Sequence, residues 1–256
     1  MHRRRELLAA LAAALLTATT PAFAQAPAPD SAVRMVLNDA ANALGMVRGL
    51  NRSLEVVNVF EYTANGTMAG PDGAQHNVSR VTAGYDYVIP AARVDLETTA
   101  PDGRTERTIT VAAGTLAWDE AMPGVYLRAA GSSAAERLRP IWLLPHGVIL
   151  ASAKAPDKVK LADRDGRKEL SASLPDGTEI TGVIGPDNLM THVEFKAGGR
   201  TFSGEYADYK DFQGYGVMFP TRIVQKIDGR TVADLTVTEA LANPYLIFPP
   251  PKELAR

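Results

Sequence analysis

The sequence predicts a mainly β fold of the α+β class, in which a curved antiparallel sheet is lidded by an N-terminal helix and a central kinked helical segment. Three observations predict it. Apolar and polar residues alternate with a period of two through most of the chain. Asp-Gly and Gly-Gly pairs separate the alternating stretches at hairpin-like spacing. Two stretches, one near the start and one near the middle, follow a helical pattern instead.

The chain opens with Arg3, Arg4 and Arg5, an apolar run from Leu7 to Leu16, and Ala22-Phe23-Ala24, a small-x-small cleavage site. Residues 1–24 are therefore expected to be an export signal. The run is too short for a membrane span, which takes about 20 apolar residues. A periplasmic or secreted protein, soluble after signal cleavage and not membrane-spanning, is the expectation. Export by the general secretory route is expected, and Arg4-Arg5-Glu6-Leu7-Leu8 also fits a loose twin-arginine pattern. Residues 25–30, rich in Ala and Pro, are expected to form a disordered tail.

Residues 31–250 are expected to form one domain, with 251–256 as a C-terminal tail. Asp30 or Ser31 is placed to cap a helix in which Val33, Val36, Leu37, Ala40, Ala41 and Leu44 recur at three-and-four spacing, and Gly45 is placed to end it. From Leu54 the period becomes two, with Leu54, Val56, Phe60, Tyr62, Ala64 and Met68 on one side of a long strand. The alternation returns at Ala92, Val94 and Leu96, at Val159 and Leu161, and at Leu170, Ala172 and Leu174. It recurs at Val193 and Phe195 and at Ala233, Leu235 and Val237. Between the strands stand Asp72-Gly73, Asp102-Gly103, Asp165-Gly166, Asp176-Gly177, Gly198-Gly199 and Asp228-Gly229. Each suits a tight turn because both residues tolerate positive φ.

The central segment begins with Ser133 and Glu136 as a capping box and continues through Leu138, Ile141, Trp142, Leu143, Leu144, Val148, Ile149 and Leu150. Pro140 and Pro145 each remove a backbone donor, so two short pieces are expected rather than one rod. A run this apolar must lie against the sheet.

Composition excludes several classes of function. There is no cysteine, so the core alone has to hold the fold. Removing residues 1–24 takes away three of the 27 basic residues and one of the 29 acidic ones, leaving 24 against 28. Such a balance disfavours a nucleic-acid partner. Beyond residue 24 the histidines are His76, His146 and His192, and no pair has metal-ligand spacing. His146, between two apolar pieces, reads as a loop histidine satisfied by backbone. The sequence holds no GxSxG, HExxH, P-loop or GxGxxG motif, so neither catalytic residues nor a cofactor nor a metal is expected.

The order of parts resembles that of the periplasmic lipoprotein carriers, the LolA/LolB-like superfamily of half-barrel sheets lidded by helices. Pro90-Ala91-Ala92-Arg93 with Val94, Leu96, Gly114 and Trp118 is similar to that family's strand pair. Tyr206, Asp208, Tyr209, Gly214, Phe219-Pro220, Ile223 and Gly229 form a pattern like that of outer-membrane lipoprotein-sorting relatives. The resemblance implies a non-enzymatic carrier or binder whose sheet cavity shields lipid or lipoprotein acyl chains in the periplasm. It places Trp118, Trp142, Leu143, Ile149, Phe195, Tyr206 and Phe219 at the ligand, with Arg93 near the mouth. Two other functions stand beside it: an accessory protein or weak hydrolase of the cell envelope, and a structural protein that binds an envelope partner through exposed strand edges.

Overall fold

The computed structural model describes residues 29–47, 57–71, 73–174 and 176–254. The predicted export signal, and the first residues of the long strand predicted from Leu54, lie outside the described residues. Helix α1 spans Pro29–Ala43, starting slightly ahead of the expected cap. Its buried residues Val36, Leu37, Ala40 and Ala41, with Leu44 just beyond, are the predicted apolar face. The Gly45 N–H donates to Asn42 O and the Met46 N–H to Ala41 O, closing the helix as expected.

The strands follow as β1 (Val59–Ala69), β2 (Gln75–Asp86), β3 (Ala91–Thr99), β4 (Thr105–Ala113), β5 (Leu116–Met122) and β6 (Val125–Ala129). Helices α2 (Ala134–Leu143) and α3 (Pro145–Lys154) interrupt them. The chain then continues as β7 (Lys160–Arg164), β8 (Arg167–Ser173), β9 (Glu179–Ile184), β10 (Met190–Ala197), β11 (Arg200–Asp211), β12 (Met218–Ile227) and β13 (Arg230–Ala242). Asp72 lies outside the described residues; each of the other predicted turns joins two neighbouring strands. Asp165-Gly166 and Asp228-Gly229 carry positive φ at both positions, the conformation that a two-residue hairpin demands.

Among the described residues the strands form one antiparallel sheet in the order β6-β5-β4-β3-β2-β1-β13-β12-β11-β10-β9-β8-β7. It is a meander whose first and last strands meet in the middle, so β6 and β7 are the two edges. The helical segment is the link between those edges. Thirteen strands laid flat would span roughly 55–60 Å at about 4.8 Å per strand. Two ten-residue helices reach only about 30 Å. The sheet must therefore curl, and α2 touches β3, β4 and β5 on one half as well as β10 and β11 on the other. The result is an open half-barrel. β1 sharpens the bend with register shifts against both neighbours between Thr63 and Gly66. Gly66 has φ +147°, and a Cβ there would stand 2.1 Å from Asp234 O.

The predicted alternation puts Phe60, Tyr62, Ala64, Leu170, Ala172, Val193, Phe195, Leu235 and Val237 on the concave face, in one core with the apolar residues of all three helices. β3 departs from it. On its opposite, convex side Asp95 is also buried, and Arg107 donates to its two oxygens at 2.9 and 2.7 Å. A second cluster, Ile109, Val111 and Trp118, lies on that convex side beneath Phe248 and Leu254 of the C-terminal segment.

Candidate functional site

Ser133 is the N-cap of α2 with both arms of the predicted capping box in place: Glu136 N–H donates to Ser133 Oγ at 3.2 Å, and Ser133 N–H donates to Glu136 Oε2 at 2.9 Å. The segment does form two pieces, but the break comes at Leu144, which is extended (φ −70°, ψ 146°), and not at Pro140. Pro145 imposes that conformation on the residue before it and then serves as the first residue of α3. Pro140 sits inside α2, where it costs a single helical hydrogen bond.

The break leaves carbonyls without helical donors. In an unbroken helix residue 145 would donate to Ile141 O, and proline has no N–H. The Tyr87 hydroxyl donates to Ile141 O instead, at 2.9 Å, and the Tyr206 hydroxyl donates to Leu143 O. Tyr87 follows β2 and Tyr206 lies in β11, so the end of α2 is tied to both halves of the sheet. Burial pushes both phenol pKa values up, keeping the hydroxyls protonated as donors. Arg137 ties the other end of α2 to β5, donating to Asp119 Oδ1 at 2.6 Å and to Trp118 O at 2.7 Å.

Between α2 and the sheet lies a cavity of about 610 Å³. One wall is the turns at Pro90 and at Gly114-Thr115. The facing wall is Leu174, Asp176 and Thr178 of the β8–β9 turn with Phe195 and Ala197 of β10, and α2 supplies Ala134, Ala135, Leu138, Arg139 and Trp142. The exposed walls are predominantly apolar. A second depression, of about 380 Å³, lies beside His76 and Glu106 at the far end of β2 and β4.

Of the residues expected at the ligand, Trp142 and Phe195 line this cavity. Leu143, Ile149, Tyr206 and Phe219 are packed into the core behind it. Trp118 and Arg93 stand apart from these, on the convex face. Trp118 Nε1 donates to Glu120 Oε1 at 3.0 Å, and Arg93 donates to both Glu120 oxygens at 2.9 and 3.1 Å while stacking over Phe248. Burial alone would raise the Glu120 pKa; the hydrogen bonds from Arg93, Gly124 and Trp118 outweigh it and hold the carboxyl below its ordinary range. The Arg93 charge is thus already matched.

His146 corrects the sequence reading. It lies in the first turn of α3, not in a loop, and is fully buried between Phe60 (ring centroids 4.3 Å apart) and Phe219 (5.8 Å, stacked). Neither ring nitrogen makes a hydrogen bond of ordinary geometry; the backbone of Met218 is the polar group that approaches it. Burial pushes its pKa down to about 3, so the ring is neutral. Sequence reasoning also passed over Arg139, the cation of the cavity wall. Its signal was a cation one helical turn before Trp142, on the same side of the predicted helix.

No helix among the described residues is long and apolar enough to cross a membrane, and no group of His, Cys, Asp or Glu among them could hold a metal ion. Compared with known proteins, the sequence matches no family model and no curated protein. Among solved structures, the chain is similar to a LolA superfamily protein from Nitrosomonas europaea, at 15% identity over 84% of this chain and 94% of that one, with a TM-score of 0.43. It is also similar to a domain from Vibrio parahaemolyticus described as an outer membrane lipoprotein-sorting protein, at 8% identity over 84% and 95% of the two chains, with a TM-score of 0.45.

Proposed function

We propose that this protein is a non-enzymatic carrier or binder of an apolar, chain-like ligand such as a lipid or acyl chain, acting in the periplasm and holding the ligand beneath α2. The observation that carries the reading is the cavity itself. Its volume of about 610 Å³ falls within the ~300–1,000 Å³ of small-molecule sites, and apolar walls with a few polar groups are what such sites use. Of the hydroxyls along its walls, Ser133 is committed to capping α2, which favours binding over nucleophilic chemistry. An acyl chain gains about 0.8 kcal/mol per methylene removed from water, so apolar contact alone supplies the affinity.

The test fills the cavity without removing existing packing. Ala197→Trp, on the β10 wall, should abolish uptake of a fluorescent acyl probe while leaving the circular dichroism spectrum unchanged. Full probe binding by that variant would move the ligand elsewhere.

A further inference from the structure

The cavity walls are predominantly apolar, yet a cation stands among them that makes no hydrogen bond or ion pair with the described residues. Arg139 lines the cavity from α2. Its guanidinium lies 5.3 Å above the Phe202 ring, and Phe202 stacks at 5.3 Å on Phe195, which lines the same cavity. This contact holds the guanidinium beside the ring by cation–π attraction, which does not consume hydrogen-bond donors as an ion pair would.

Among the described residues Arg139 makes no hydrogen bond or ion pair, in contrast to its neighbours. Arg137, two residues earlier, is spent on Asp119, Ser132 and two backbone carbonyls, and Arg93 is spent on Glu120. The acid in the cavity wall, Asp176, accepts the Thr178 N–H at 2.9 Å within its own turn and forms no ion pair with Arg139. Glu136, one helical turn before Arg139, hydrogen-bonds to the Ser133 cap and attracts Arg139 only at a distance, without a hydrogen bond or close ion pair. A half-buried guanidinium with five free donors beside apolar walls is matched by one kind of ligand: an apolar chain ending in an oxyanion, which the planar fork can grip in bidentate fashion.

Resting on the carrier reading, we infer that the ligand is an amphiphile with a single anionic head, a carboxylate or a phosphate, bound by Arg139 while its tail runs along Leu138, Trp142 and Phe195. The head and the tail are recognised separately, so they are separable by experiment. The delipidated mature protein is titrated with dodecanoate, dodecyl phosphate and dodecanol, with binding followed by calorimetry, and the titrations are repeated with Arg139→Gln and Arg139→Lys.

The expected result is that the wild type binds an anionic probe about ten- to a hundred-fold more tightly than the alcohol, as a charge-assisted hydrogen bond implies. Arg139→Gln should erase that preference without changing the affinity for the alcohol, and Arg139→Lys should keep part of it. Whichever anion binds more tightly identifies the head as carboxylate or phosphate. Equal wild-type affinity for anion and alcohol, or a preference that survives Arg139→Gln, overturns the inference and leaves the apolar cavity intact. If no probe binds the wild type, the carrier reading falls with it.

Discussion

The two halves of the central helical segment are held to the sheet in different ways. α3 is held by packing: from Pro145 to Ser152 every residue is buried, and His146 is clasped between Phe60 and Phe219. α2 buries Leu138, Ile141, Trp142 and Leu143, but it stands over a cavity of about 610 Å³. Its attachments are directional polar contacts from Tyr87, Tyr206 and Arg137 at its two ends. Packing contributes through many small contacts that must be lost together. Hydrogen bonds are few, and each contributes only about 1 kcal/mol net because water can replace them. α3 thus rests on packing along its buried stretch, and α2 on packing joined with polar ties at both of its ends.

That contrast is sharpened first by matched core deletions. Phe219→Ala, beneath α3, should cost about 3–5 kcal/mol of unfolding free energy, as large-to-small changes in sealed cores do. Leu138→Ala, beside the cavity, should cost about 2 kcal/mol or less, because its side chain already borders open space. Chemical denaturation measures both, and equal losses would erase the distinction between the halves.

Acidification tests the sealed half next. His146 has a folded pKa near 3 against an unfolded value near 6.5. Below about pH 6.5 the unfolded chain takes up a proton that the folded chain refuses, so stability falls as pH drops from there toward 3 and is flat above. The slope is about 1.4 kcal/mol per pH unit, which amounts to about 2 kcal/mol between pH 7 and pH 5. Denaturation at the two pH values should show this loss in the wild type and not in His146→Phe. The carboxylates with lowered pKa values, such as Asp95, Asp119 and Glu120, lose their contributions only in more acidic solution.

The last test concerns the half tied by polar contacts. Tyr206→Phe removes the donor to Leu143 O and should cost about 1–3 kcal/mol, the penalty for a buried acceptor left unsatisfied. Hydrogen exchange should quicken in α2 and stay slow in α3. Acceleration spread equally over both helices would contradict the asymmetry.

Much of this architecture is legible in local sequence. Asp165-Gly166 and Asp228-Gly229 encode their hairpins because positive φ is a property of the residues themselves. The Ser133–Glu136 box and the break before Pro145 are equally local. The reading fails where burial depends on distant chain. Trp118 joins the convex cluster because Phe248 and Leu254 of the C-terminal segment return over that face, and no period within β5 announces such a cover. Arg93 reads as a free cation until Glu120, two strands away, is placed against it. His146 reads as a loop residue because the rings that enclose it come from β1 and β12. For the candidate site, Trp142 and Phe195 were legible as apolar residues on the correct faces, whereas the lack of a hydrogen bond or ion pair to Arg139 among the described residues is seen only in the folded arrangement.

The most direct test of the central claim, that the space beneath α2 holds a ligand, is native mass spectrometry with organic extraction. The protein is purified without detergent from its native compartment. The account predicts a stoichiometric lipid or acyl adduct that disappears in Ala197→Trp. A clean ligand-free mass, unchanged after labelled phospholipid and fatty acid are offered, would contradict it.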